Sequence, residues 1–460
     1  MTVSPVIFRQ YDVRGTVGVD LTPEVALALG RAIAAEALER LGRAPTLVVG
    51  RDNRPSGESL GKALIAGLRA GGVNVRAVGQ VPTPALYFAI HHLAADGGVQ
   101  VTGSHNPPEF NGFKMVLAGA PLAGDDIQAL RSRIESARFS EGQGSLEAQA
   151  VLDAYVAEIT GRLGVLPRPV RVVVDCGNGV PSLVAPRLLR ALGAEVTELF
   201  CESDGSFPNH HPDPTVLENL RDLIAAVGAG GADLGVAFDG DGDRIGAVDE
   251  RGDVLPGDLL LVLYGRDLVR RLGPGREVIF DVKCSDLLPH ALEQAGAKPV
   301  MWMTGHSHIK KRMKQTGAPL AGEMSGHMFF GAPDYLGFDD ALYAAARLLH
   351  IVAASGSPLS SHLADLPRLV ATPEIRVDCS EGAKWSAVEA AAAYFRSRYE
   401  TVTIDGVRWR AHGGWGLIRA SNTQPILVLR FEAPTLEQLE RIRAEAFEVL
   451  TAQGVRPPEL

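Results

Sequence analysis

One arrangement recurs three times along the first three quarters of this chain and limits its fold more than any other feature. Each copy opens with an apolar strand running into a polar turn, at residues 47–54, 170–178 and 278–286. A helical stretch and a Gly/Ala-rich turn follow, then a second strand at 73–78, 194–200 and 297–303. A third short strand then leads into a Gly-rich polar loop around Ser104, Asp239 and Glu323. Strands and helices alternating at this spacing predict mostly parallel sheets covered by helices on both faces. Ligands gather beyond the carboxyl ends of strands in such sheets, which is where the three loops fall.

The texture changes after about Leu366. Strands are expected at 374–379 and 402–404 around an Ala-rich helix at 383–398, with further strands at 407–409, 415–418 and 426–431. Leu436, Leu439, Ile442 and Phe447 then recur at helical spacing, which predicts an amphipathic helix. The expected fold is therefore α/β: three similar αβα-sandwich domains with mixed, mostly parallel sheets, plus a smaller C-terminal α+β domain. The boundaries that fit are 1–150, 151–254, 255–367 and 368–460.

A hydrophobic share of 46% suits large buried cores, and a net charge of −9 argues against a general nucleic-acid binder. No apolar run is long enough to span a membrane, and the first twenty residues, with Arg9, Asp12 and Arg14, lack the apolar stretch of a secretory signal. A cytoplasmic protein is expected. Cys176, Cys201, Cys284 and Cys379 show no C-x-x-C spacing and suggest reduced, mostly buried thiols. Cations are overwhelmingly arginine: only eight lysines stand against 37 arginines, and four of the eight are Lys283, Lys310, Lys311 and Lys314.

Chemistry concentrates in four loops. Residues 101–107 read V-T-G-S-H-N-P, where a glycine permits a sharp turn and a proline blocks a helix, so that Ser104 is presented rather than packed. A serine hydroxyl needs a base, a metal or a preloaded phosphate to react. Residues 239–244 read D-G-D-G-D-R, and three carboxylates so close repel one another unless a divalent cation neutralises them. A calcium EF-hand places Glu250 correctly at its twelfth position, but Arg244 occupies its required sixth-position glycine and the flanks read as strands. Asp239, Asp241 and Asp243 thus suit an open Mg²⁺ site beside a phosphate, with Arg244 able to grip phosphate oxygens.

Residues 322–327 read G-E-M-S-G-H, in which Glu323 and Ser325 suit paired sugar hydroxyls. Residues 419–425 read R-A-S-N-T-Q-P, where Arg419, Ser421, Asn422 and Thr423 offer a fixed cation and neutral donors to a phosphate dianion. Lys114 is a proton-transfer candidate if buried. His105, His306, His308 and His327 lie in or near these loops and suit acid/base or hydrogen-bonding roles better than zinc.

Taken together and in this order, the loops resemble those of the α-D-phosphohexomutase superfamily, most closely its phosphomannomutase/phosphoglucomutase branch. The resemblance runs from residues 11–15 through the serine and aspartate loops, 304–314 and 322–327 to 419–425. It implies four domains around a central cleft, carrying the phosphoserine, the metal, the sugar-reading loop and a phosphate-binding loop in chain order. It further implies that Ser104 is phosphorylated at rest and that Mg²⁺ is held by Asp239, Asp241, Asp243 and a phosphoserine oxygen. Hexose 6-phosphate and hexose 1-phosphate would interconvert through a hexose 1,6-bisphosphate, which is both intermediate and activator.

By the same resemblance Lys114 and His327 are proton-transfer candidates, Arg14 and Lys283 are active-site cations, and His306 contacts the sugar. Glu323 and Ser325 would read the 3- and 4-hydroxyls that glucose and mannose share, so dual specificity is expected. Only small-molecule sugar phosphates are expected as partners, with no nucleic acid and no membrane, and the chain is expected to be a monomer, with a dimer as the alternative. Competing readings are a phosphoglucosamine mutase, a Mg²⁺-dependent sugar-phosphate phosphatase and a non-catalytic sensor. The phosphatase would not need the loop at Arg419, and the sensor would not need Ser104 with all three aspartates.

Overall fold

The computed structural model describes residues 1–422 and 424–458. Four sheets follow one another along the chain. In the first, strand Thr46–Arg51 lies between Asn74–Gln80 and Gly97–Val101, all parallel. In the second, Arg171–Asp175 lies between Glu195–Leu199 and Leu234–Phe238, again parallel. In the third, Glu277–Asp281 lies between Lys298–Trp302 and Leu320–Gly322 in the same sense. The first strand of each copy is central, as the repeated layout requires.

A shared feature makes these sheets mixed. After its third strand each copy doubles back into an antiparallel neighbour: Phe110–Leu117, Ile245–Asp249 or Met328–Phe330. The polar loops at 102–109, 239–244 and 323–327 are therefore hairpin connections at the same corner of three equivalent sheets. The fourth sheet is antiparallel throughout, and its loop at 421–425 joins the neighbouring strands Gly414–Ala420 and Ile426–Ala433.

Helices pack these corners into one body. One continuous apolar core runs from Val48 and Phe88 in the first sheet layer through Leu188 and Phe238 to Phe280, Phe330 and Leu348 in the third. The C-terminal domain has its own core, in which Phe395 stacks on Trp409 at 3.7 Å beside Leu427, Phe431 and Ile442. It meets the third domain through polar contacts. Arg408 donates to the carbonyls of Val282 and Cys284 and pairs with Asp286, and Ser285 donates to Glu432, around a small apolar patch of Val282, Trp415 and Leu417.

Three expectations need correction. Ser104 is packed rather than presented, only 2% exposed, because the loop around Asp239 closes against it. Leu436 does not belong to the buried face of the last helix, Leu436–Ala452; it is 59% exposed, because Thr435 caps the helix and places Leu436 in its open first turn. Leu439, Ile442, Ala446 and Leu450 carry the core face. The strand expected at 402–404 is the shorter Thr401–Val402. The cysteines are free thiols, and Cys201 donates to Cys176 with the two sulfurs 3.2 Å apart, a meeting their spacing did not show. Among the described residues no helix is long and apolar enough to cross a membrane.

Candidate active site

Ser104 sits in a hairpin that the rest of the first domain holds from behind. Arg54, fully buried, uses all five of its N–H donors there. Nε donates to Asp52 Oδ2 at 3.1 Å, Nη1 to the carbonyls of Pro107 and Phe110, and Nη2 to the carbonyls of Ser104 and Asn106. Asp52 also accepts from the Thr102 hydroxyl, whose oxygen in turn accepts from the Ser104 amide at 2.8 Å. This framework keeps Ser104 at φ 49°, a left-handed conformation that a non-glycine residue holds only when its surroundings impose it.

Arg54→Met is therefore expected to leave four loop carbonyls and the buried Asp52 carboxylate without their cation, at a cost of about 3–5 kcal/mol. Thermal unfolding should show a large drop in the melting temperature. Unchanged melting would remove Arg54 from this role.

The aspartate loop closes against the serine loop. A Cβ at Gly240 would lie 2.5 Å from the Ser104 carbonyl oxygen, so only glycine allows the approach. Ser104 Oγ donates to Asp239 Oδ2 at 2.9 Å and lies 3.2 Å from His105 Nδ1. The other Asp239 oxygen accepts from the amides of Gly242, Asp243 and Arg244. Asp239, Asp241 and Asp243 are fully buried, with carboxylate oxygens within 4.8 Å of one another. Burial and its two acidic neighbours push the Asp239 pKa well up.

Lys114 is buried and donates to Asp241 at 2.7 Å and to Asp243. Burial works against its charge, but these carboxylates outweigh it and raise its pKa well above the ordinary lysine value. Arg244 Nε donates to His327 Nε2 at 3.0 Å. Since arginine can only donate, His327 Nε2 must be unprotonated, and the imidazole proton is placed on Nδ1. That nitrogen lies 3.2 Å from Asp339 Oδ2.

Asp339 is a site residue that sequence reasoning missed. It pairs with Lys310 at 2.8 Å, and His306 Nδ1 lies 3.5 Å from it. The His306 and His327 rings stack 5.6 Å apart. Asp243, His327 and Asp339 form a second group close enough to hold an ion, but the Lys310 ammonium already compensates Asp339.

The opposite side of the cleft comes from the third and fourth domains. Glu323 accepts from the Gly305 amide, and Ser325 donates to Glu323 at 3.4 Å. Arg419 donates to Asp405 at 3.0 Å, and Asp405 also accepts from the Thr304 amide. Asn422 donates to Tyr11 Oη at 2.7 Å and so joins the last domain to the first, while Tyr11 donates to the Thr304 carbonyl. Buried Lys384 holds Ser421 and Gln424 by donating to their carbonyls. Thr423 lies outside the described residues. Arg14 reaches the serine loop through Asn106 Oδ1 at 2.8 Å and pairs with Asp12.

Lys283 donates to Glu374 at 3.3 Å and lies 4.0 Å from Asp281. Lys283 holds the Glu374 pKa down to about 2, against 4.5 for a free glutamate. Folding thus favours the ionised carboxylate, so this stability is complete above about pH 4.5 and is lost as pH falls toward 2. Glu374→Gln should lower stability at pH 7 by at most about 3 kcal/mol. In paired melting curves the difference should close on acidification; a difference constant with pH would contradict the pairing.

Two groups thus emerge. Ser104, the three aspartates, Lys114, Arg244, His327 and His306 form one connected set, while Glu323, Ser325, Lys283, Arg419, Ser421 and Asn422 lie along the facing loops. Together they offer a hydroxyl beside a hard-cation site and, apart from it, cations suited to a second phosphate.

Family models for the phosphoglucomutase/phosphomannomutase alpha/beta/alpha domains I, II and III match residues 5–141, 153–252 and 256–370, and the C-terminal domain model matches 374–449. A phosphomannomutase/phosphoglucomutase of Pseudomonas aeruginosa is 51% identical over 96% of this chain and 95% of its own. A phosphoglucomutase of Neisseria gonorrhoeae is 49% identical over 95% of each chain. The crystal structure of a phosphoglucomutase/phosphomannomutase family protein from Burkholderia thailandensis superposes over 100% of both chains with a TM-score of 0.93 and 46% identity. The chain belongs to the phosphoglucomutase/phosphomannomutase family and is a phosphohexomutase, interconverting hexose 6-phosphates and hexose 1-phosphates.

Proposed function

We propose that Ser104 is the phosphoryl carrier of this reaction and that Asp239, Asp241 and Asp243, with an oxygen of phosphorylated Ser104, would hold Mg²⁺. The supporting observation is the 2.9 Å contact of Ser104 Oγ with Asp239 inside a buried carboxylate triad. The donor set fits a hard cation: it is all oxygen, and Asp241 Oδ1 and Asp243 Oδ1 are buried without hydrogen-bond partners among the described residues. Bound there, Mg²⁺ would supply positive charge to the oxygens of the transferring phosphoryl group.

The chain's own residues would do the rest. The phosphoryl group leaves Ser104 Oγ for the free hydroxyl of a sugar monophosphate; the P–Oγ bond breaks as the P–O(sugar) bond forms. The sugar hydroxyl gives up a proton and Ser104 Oγ recovers one, with Lys114 and His327 as the proposed exchanging groups. Arg244 neutralises charge at the transferring group, while Arg419, Ser421, Asn422, Lys283 and Arg14 supply contacts for the distal phosphate. The resulting hexose 1,6-bisphosphate turns over in the cleft and returns its other phosphate to Ser104. The separate core of the C-terminal domain suits the opening that this reorientation requires.

Glu323 and Ser325 would hold hydroxyls common to glucose and mannose, which supports activity on both sugars. The protein would act as a cytoplasmic monomer. The test restores Mg²⁺ to chelator-treated enzyme supplied with glucose 1-phosphate or mannose 1-phosphate, each with a trace of its bisphosphate. Mg²⁺ should restore formation of both 6-phosphates without matching release of inorganic phosphate. Stoichiometric phosphate release would favour hydrolysis, and one inert sugar would remove the dual specificity.

A further inference from the structure

The concentration of lysines at 310–314 is not explained by the reaction. Ser307, Lys310, Lys311 and Lys314 fall at i, i+3, i+4 and i+7 of the helix His306–Thr316 and so form a single stripe. All four line a cavity of about 1270 Å³ between the first and third domains, behind the helix whose first residue, His306, stacks on His327. In a chain with 37 arginines, three of its eight lysines meet in this one space.

Their charges are not all consumed. Lys310 is committed to Asp339, whereas Lys314 touches only the Gly119 carbonyl at 3.2 Å and exposed Lys311 has no hydrogen bond or ion pair among the described residues. The cavity's carboxylate, Asp126, is already paired with Arg40. Ser307 Oγ, in a residue only 3% exposed, lacks a hydrogen-bond partner among the described residues. Facing the stripe is an apolar and aromatic wall: Ile90 and His91 come from the first domain, and Phe338 stacks on His91 at 6.2 Å from the third.

We propose that this cavity binds a nucleoside diphosphate. Lys311 and Lys314 are separated by one helical turn, a spacing that offers one ammonium to each of two adjacent phosphates. The volume and the ring-lined wall exceed what an inorganic anion fills and suit a base with its ribose. A hexose monophosphate would leave one ammonium unused and the aromatic wall uncovered.

The test is calorimetric titration of the full chain with ADP, GDP and UDP separately, in saturating glucose 1-phosphate to occupy the cleft, with pyrophosphate as a charge-only arm. At least one nucleotide should bind despite the sugar phosphate. Its affinity should fall at least about tenfold in Lys311→Ala/Lys314→Ala, whose mutase rate without nucleotide should be unchanged, and pyrophosphate should bind at least about tenfold more weakly. The proposal is overturned if no nucleotide binds or if the double variant binds equally well. It is also overturned if glucose 1-phosphate suppresses binding, or if pyrophosphate binds as tightly as the nucleotide.

Discussion

Ser104→Ala is expected to lower mutase activity at least about ten-thousandfold, while the protein remains folded and still binds sugar phosphate. The loss should be this large because the hydroxyl would carry the phosphoryl group itself. Metal and arginine stabilise charge at a transferring group, but they offer it no alternative covalent home. Folding should survive, since the loop is held through the Ser104 amide and carbonyl rather than through Oγ. Steady-state assay beside a sugar-phosphate binding titration checks both halves. Activity retained within about a hundredfold would mean that another group carries the phosphate.

Asp239→Asn is expected to move activity and stability in opposite directions. Activity should fall about a thousandfold, because the substitution removes one of three anionic ligands proposed for the cation and the acceptor for Ser104 Oγ. Stability measured in chelator should hold or rise, because the amide oxygen can still accept from the three amides while one of three mutually repelling buried charges disappears. Excess Mg²⁺ should raise the melting temperature of the wild type more than that of the variant. A variant that loses stability in chelator would show that Asp239 is retained for folding.

The residues proposed to perform the chemistry were legible because they crowd into short loops. Three aspartates within five positions announce a cation by proximity, whereas the loop from Arg419 gained its meaning only beside the others, and Arg14, Lys283 and His306 entered through the family resemblance. The residues that hold those loops were not legible. Arg54 acts on carbonyls 50 to 56 residues further along the chain, and Lys384 on carbonyls 37 and 40 residues away. A backbone carbonyl has no side-chain signature, so nothing local marks these cations as clamps. Asp339 was hidden similarly, since Lys310, His306 and His327 meet it only after the third sheet forms. The mostly parallel layout of strands was readable from the alternation of apolar runs with helices, but the antiparallel return strands were not located: Phe110–Leu117, Ile245–Asp249 and Met328–Phe330 reverse the chain and create the hairpins that present each loop.

The most direct test of the central claim is peptide-resolved mass spectrometry of the active protein after exposure to glucose 1,6-bisphosphate. The account predicts one phosphoryl group on the peptide containing Ser104, located on that serine, and its loss when excess glucose monophosphate is added. Fully active protein with Ser104 unmodified, or with its phosphate on another residue, would contradict it.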